Sequence, residues 1–267
     1  MTPKLAAYLR RIGYSGPLDP SVKTLRALHR AHLLAISYEN VDVQLGVPLT
    51  VDDEAAFEKI VERKRGGWCY EMNGLFAWAL RELRFDISLL GAAVGRDQRG
   101  DAVAMNHLAI LVHLDKPYLA DVGFGNGFIA PIPLAEGTHS DGRFDFRLQQ
   151  IDGDWWRITN RPASGDTFDF QLTPYELHAF EQKNRWLQSA DESYFVQEHH
   201  LALPFADRHG ESAHPGEGPG QGRHFVEMGG EQGPATGFVV QRLDRRPGDG
   251  QAVESGGTTA DFIEDYQ

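Results

Sequence analysis

Apolar residues recur at helical spacing as far as Leu83, and beyond Arg84 they recur at the spacing of strands. A chain whose helical and strand-like stretches are segregated in this way is expected to be α+β, with an antiparallel sheet rather than alternating βα units. In the first stretch, Leu5, Tyr8, Leu9 and Ile12 mark one helical face. Leu25, Leu28, His32 and Leu33 mark another, with Pro17 and Pro20 between them. Residues 52–64 (DDEAAFEKIVERK) open on acids and close on basic residues, which suits the dipole of a helix running that way. From Cys69 onward, Met72, Leu75, Phe76, Ala79, Leu80 and Leu83 share one face, just after Gly66-Gly67. Cys69 is therefore predicted in the first turn of a helix.

Strands are predicted at 85–94, 106–114, 118–124, 143–151, 154–160 and 167–173, the second and third joined by a tight turn at Asp115-Lys116-Pro117. Together they form a small antiparallel sheet or barrel over 85–173. A short helix follows at 174–184. Beyond about residue 205 the chain is dense in Gly, Pro and charge, which suits a loosely packed tail or lid. At 267 residues the chain exceeds the usual single-domain size. Either one large core or two to three compact units are expected, with helices over 1–84, an antiparallel sheet or barrel over 85–173 and a C-terminal tail or lid over 174–267.

One cysteine cannot form an internal disulfide, which points to a reducing compartment. Arg10 and Arg11 stand where a signal peptide would need an unbroken apolar core, and no later run has membrane-spanning length. The expected location is the cytoplasm, with no membrane partner. A formal net charge of -12 without a basic stripe argues against nucleic acid. The pairs His29/His32 and His199/His200 lack cysteine or carboxylate ligands at matching spacing, so no metal is expected. Arg63, Lys64 and Arg65 suit a solvated helix end better than a phosphate site.

The stretch RGGWCYEMNG, residues 65–74, raises a chemical question. Free cysteines are usually inert and buried, yet the free N–H groups of a helix N-terminus favour a thiolate over a thiol. Those around Trp68 to Tyr70 would also donate to an oxyanion. A thiolate nucleophile further needs a base and a group to orient that base. Of the eleven histidines, His107 opens a strong strand, and Asp121 lies on the strand after the tight turn. Asp121 is a carboxylate in the otherwise apolar LADVGF and so needs a partner. Strand pairing brings the two near each other, although a shift of one residue would place them on opposite faces. Each taken alone also reads as an ordinary packing or strand-edge residue.

In combination, AHLLAISYENVDV (31–43), RGGWCYEMNGLF (65–76), NHLAILV (106–112) and LADVGFGNGFIAPIPL (119–134) closely resemble the arylamine N-acetyltransferase family. The resemblance runs from residue 5 to about 200, and none of the family's usual pattern is recognisable beyond it. It implies a helical bundle carrying the cysteine, an antiparallel β-barrel carrying the histidine and aspartate, and a C-terminal α/β lid. By resemblance, Cys69 is the nucleophile, His107 its base and then acid, and Asp121 the orienting group. Acetyl-CoA would be the acyl donor, an arylamine or hydrazine the acceptor, and no cofactor would be tightly bound. The glycines of Gly123-Phe124-Gly125-Asn126-Gly127 would let backbone N–H groups approach the CoA pyrophosphate. Tyr38, Trp68 and Phe124 would wall the acceptor pocket. The same three catalytic side chains would also serve an amide synthase closing a macrolactam, a hydrolase, or an inactive binding homologue. The identity of the acyl donor discriminates the amide synthase from the acetyltransferase.

Overall fold

The computed structural model describes residues 1–125, 127–141, 144–160, 166–197 and 200–202. Helix α1 (Pro3–Arg11) begins where the Thr2 hydroxyl accepts a hydrogen bond from Leu5 N, with Pro3 at the first helical position. Helix α2 (Val22–Ala35) begins where Ser21 accepts from Thr24 N. Such caps contribute about 1 kcal/mol each. Both helices bury the expected stripes, and α2 buries His29 beside them. A short strand β1 (Tyr38–Glu39), a turn of helix α3 (Val41–Gln44) and helix α4 (Asp53–Phe57) follow. The helix expected over 52–64 is thus split, because after Phe57 it widens into a π-helical turn over Glu58–Glu62.

Helix α5 (Cys69–Glu82) differs from its sequence pattern in being buried on almost every side, including Tyr70, Glu71, Asn73, Gly74 and Ala77. It is packed between α1 and α4 on one flank and the sheet on the other. Strand β2 (Asp86–Val94) leads through helix α6 (Arg96–Arg99) and a 3-10 turn over Gly100–Val103 to β3 (His107–His113) and β4 (Pro117–Ala120). There follow β5 (Ile132–Pro133), β6 (Gly137–Ser140), β7 (Asp145–Gln150), β8 (Trp155–Asn160) and β9 (Asp166–Tyr175). The sheet order is β5-β4-β3-β2-β9-β8-β7-β6, antiparallel throughout. Its two edge strands, β5 and β6, are consecutive in the chain, so the sheet curls into a nearly closed barrel and the fold is α+β.

Strand β3 explains its own unbroken apolar run. Leu108, Ile110 and Val112 face the helices, while Ala109 and Leu111 face the barrel interior with Phe146, Leu148, Ile158, Phe168 and Phe170. A strand covered on both faces needs no polar alternation. Strand β4 ends at Ala120, short of the expected residue 124. There the Asp121 carboxylate captures Gly123 N and the chain turns through Gly125 at φ +76°. Strand β9 runs on to Tyr175, so the expected helix begins late, as a 3-10 turn over Leu177–Phe180 and then α7 (Glu181–Ser189). Helix α8 (Tyr194–Gln197) and β10 (Leu201–Ala202) close the described chain, and β10 pairs with β1. The Gly-rich segment after residue 205 lies outside the described residues. Among those described, no helix is long and apolar enough to cross a membrane.

Candidate active site

The loop before Cys69 is held from beneath. Gly67 N donates to Ser37 O and Glu39 N to Gly67 O, which lays the loop against β1. A Cβ on Gly66 would stand 2.3 Å from Ser37 O, and one on Gly67 would stand 3.1 Å from the Glu71 carboxylate. Glycine is required at 66 because the obstructing atom is backbone. Glu71, at the third position of α5, accepts from Trp68 N at 3.2 Å. Its carboxylate also accepts from Lys59 Nζ at 2.9 Å, and Lys59 reaches Asp42 at 2.8 Å. Arg65 pairs with Glu39 and Asp42, both at 2.9 Å. Arg65 is therefore not part of a solvated helix end as expected; its guanidinium is turned inward to two carboxylates. Arg63 stays exposed beside Glu58.

Cys69, His107 and Asp121 are all but sealed, at 2%, 2% and 1% exposure. The β3–β4 register pairs Ile110 with Ala120. Continued by one residue, it sets Asp121 opposite Ala109, on the face that His107 shares two residues away. The ambiguity left by the strand pattern is thus resolved, with both side chains on one face. His107 Nε2 donates to Asp121 Oδ2 at 2.7 Å, which leaves Nδ1 for the thiol of Cys69. Burial lowers the His107 pKa, but the charge of Asp121, its hydrogen bond and the bond to Cys69 outweigh burial and raise it to about 10. The imidazole edge packs on Phe124, and its face is tilted against Phe168, each at 5.3 Å.

Two residues in this arrangement were not singled out from sequence as partners of Asp121. Asn73 lies one turn after Cys69 on α5. Its Nδ2 donates to Asp121 Oδ1 at 2.8 Å and to Leu108 O at 2.6 Å, while its Oδ1 accepts from Val122 N at 2.8 Å. The signal available was the four-residue spacing from Cys69, which puts both on one helical face. His29 accepts from Asp121 N, a contact across 92 positions that local pattern cannot show. His29 and His32 turn to protein partners, His32 to the Tyr8 hydroxyl at 2.9 Å and His29 to Ile129 O as well. Among the described residues, no group of three or more His, Cys, Asp or Glu side chains is arranged to hold a metal ion.

The remaining expected contacts fall out unevenly. Gly123 N donates to Asp121 Oδ1, and a Cβ on Gly123 would stand 2.8 Å from Cys69 Cα and 2.7 Å from Asn73 Nδ2. The lack of a side chain at 123 therefore serves the packing of the Asp121 turn on α5, not ligand approach. Gly125 faces the Tyr38 ring, with a hypothetical Cβ 3.9 Å away, and one on Gly127 would meet Phe124 Cβ at 3.2 Å. Asn126 lies outside the described residues. Tyr38 and Phe124 are half-buried, whereas Trp68 is fully buried between Tyr70 and Phe195 and presents no free surface as a pocket wall. Burial, and then the charge of Cys69, push the Tyr38 phenol well above its ordinary range, so it stays protonated. The first intrahelical bond of α5 runs from Met72 N to Trp68 O, and Trp68 N is committed to Glu71. The expected set of oxyanion donors loses Trp68 and keeps the N–H groups of Cys69 and Tyr70.

Comparison with known proteins shows the family. A family model described as N-acetyltransferase matches residues 21–211. The arylamine N-acetyltransferase of Escherichia coli (strain K12) is 35% identical over 208 residues, covering 76% of this chain and 73% of that protein. The solved arylamine N-acetyltransferase from Salmonella typhimurium superposes with a TM-score of 0.72 at 31% identity, covering 78% of this chain and 77% of that one. The Mycobacterium marinum arylamine N-acetyltransferase in complex with CoA has a TM-score of 0.70 at 32% identity, covering 76% and 78%. A thiol at a helix start, an imidazole and a carboxylate on one face of a barrel strand pair, and these matches over three quarters of the chain lead to one conclusion: the chain belongs to the arylamine N-acetyltransferase family of acyltransferases.

Proposed function

We propose that this protein transfers acetyl from acetyl-CoA to the nitrogen of an arylamine or hydrazine, in two half-reactions through an acetyl-Cys69 thioester. The observation that carries the reading is His107 held between Cys69 and Asp121, with its pKa raised to about 10. An imidazole that basic is placed to take the proton of the thiol and leave a thiolate as nucleophile. The thiolate attacks the acetyl carbonyl, and the N–H groups of Cys69 and Tyr70 donate to the oxyanion. The CoA thiolate then leaves, taking its proton from His107. In the second half, the amine attacks the thioester carbonyl, His107 takes the amine proton, and the Cys69 thiolate departs as the amide forms. Asp121 holds the imidazole in place.

Gly125 and Gly127 are the positions where backbone approaches CoA, since Gly123 is already accounted for by Cys69 and Asn73. Tyr38 and Phe124 flank the acceptor. Residues 1–84 act as the bundle and 85–175 as the barrel, in a cytoplasmic enzyme with no tightly bound cofactor. Intact-protein mass spectrometry after mixing with acetyl-CoA alone tests the mechanism. A single acetyl adduct is expected on the wild type, absent from Cys69→Ser and discharged by an arylamine. A folded wild type that takes no acetyl would overturn the donor assignment and favour a longer acyl donor.

A further inference from the structure

His29 is a buried imidazole with both ring nitrogens engaged on one loop. Its Nε2 accepts from Asp121 N at 3.2 Å, and its Nδ1 donates to Ile129 O at 3.1 Å. The two contacts close the turn that carries Gly123, Phe124 and Gly125, gripping it at its first residue and at its last. Ile129 is held from the other side too, because its N–H donates to Asp141 Oδ2 at 3.0 Å. The ring is stacked on Phe128 at 5.8 Å and 11°, and meets Phe76 of α5 edge-on at 5.8 Å. One residue of α2 thus touches the cysteine-bearing helix, the barrel interior and the aspartate turn together.

We propose that His29 is a positioning residue for the transfer reaction, a neutral imidazole clasp that sets the backbone of Asp121 and through it the orientation of His107. This deepens the acetyl-transfer reading and rests on it. Of the groups holding Asp121, Asn73 and Gly123 N act on its carboxylate, whereas His29 acts on its main chain. Asn73 also accepts from Val122 N, so the main chain of the turn has one anchor besides His29. The His29 contact adds the anchor at Asp121 itself, and small misplacements of a base carry large losses in rate. The clasp needs one tautomer, with a proton on Nδ1 and a lone pair on Nε2. Burial holds the ring neutral, and the ionisable groups facing it are His32 on its own helix, Asp121 and Asp141.

The two halves of the clasp can be separated by amide substitution. In His29→Gln the side-chain oxygen can occupy the Nε2 position and still accept from Asp121 N, whereas in His29→Asn the amide can serve only the Nδ1 position toward Ile129 O. His29→Leu removes both. The readout is the pH dependence of Cys69 alkylation by iodoacetamide, alongside kcat/KM, with Leu148→Ala in the barrel interior as a control for lost stability. His29→Gln is expected to keep the wild-type alkylation midpoint within a few tenths of a pH unit. His29→Asn and His29→Leu are expected to raise it by about one unit and lower kcat/KM by about tenfold or more. Should Leu fail to fold, the comparison of Gln with Asn carries the test. Equal midpoints in Gln and Asn, or a Leu variant indistinguishable from Leu148→Ala, would overturn the clasp. A wild type that alkylates like an ordinary thiol, with a midpoint near 8.5, would overturn the imidazole–thiolate reading beneath it as well.

Discussion

Gly123 has Cys69 Cα 2.8 Å from where a methyl would sit, and main-chain atoms cannot swing aside. Gly123→Ala is expected to push the Asp121 turn off α5 and lower kcat/KM about 100-fold, with the circular dichroism spectrum retained. Asp121→Asn keeps the shape of the carboxylate but removes the charge that makes His107 basic, and on the order of 10³ to 10⁴-fold of kcat should go with it. The buried histidines also shape stability against pH, in opposite directions. Burial depresses His29 to about 4, against about 6.5 in an unfolded chain. Its share of stability is therefore complete above pH 6.5 and falls away as pH drops toward 4, by roughly 3 kcal/mol, with His32 adding in the same sense. His107 is raised to about 10, so its share is complete below pH 6.5 and is lost as pH climbs through 10. Urea midpoints at pH 4.5, 6.5 and 9.5 should be highest in the middle. His29→Gln should flatten the acid side and His107→Gln the alkaline side.

At the scale of elements, the start of α5 is the part that needs most support. Glu71 caps the helix at Trp68 N, and Lys59 and Arg65 bind the three carboxylates Glu39, Asp42 and Glu71 into one buried network. Lys59 keeps its charge because the pull of Glu71, Glu39 and Asp42 exceeds the cost of burial. Lys59→Met would strand Glu71 without its cation and leave Asp42 to Arg65 alone, a change that typically costs about 3–5 kcal/mol. It should lower the urea midpoint markedly and reduce acetylation of Cys69 in the fraction that still folds. The sequence pattern marked where α5 begins and that Cys69 lies in its first turn, because the glycine pair and the 3.6-residue period are local features. It placed Arg65 in solvent, because a run of three cations looks the same whether or not carboxylates from β1 and α3 fold over one of them. Likewise, β4 was read four residues too long, since apolar residues continue past the point where Asp121 turns its side chain back on Gly123.

Across the whole molecule, chain segments far apart in sequence complete the ground beneath the site. Strand β10 pairs with β1, Asn40 Nδ2 donates to Phe195 O at 2.9 Å, and His200 N donates to Asn40 Oδ1 at 2.7 Å. Gln44 donates to the Phe195 carbonyl as well, and the Phe195 ring seals Trp68. Asn40→Ala should loosen this clasp, and hydrogen exchange at Val196 and Gln197 should quicken while α5 stays protected. By itself, the sequence determined the α+β class, the main helices and strands, the family, and the three side chains proposed to carry the chemistry. Each of these follows from periodicity within some twenty residues or from motifs that are contiguous. Only the tertiary structure decided that His107 and Asp121 share a face, that Asn73 holds the Asp121 carboxylate and His29 its main chain, and that Trp68 is fully buried. Those outcomes depend on strand register and on contacts such as that of His29 with Asp121, 92 positions apart, and hydrophobic spacing along the chain carries no record of either.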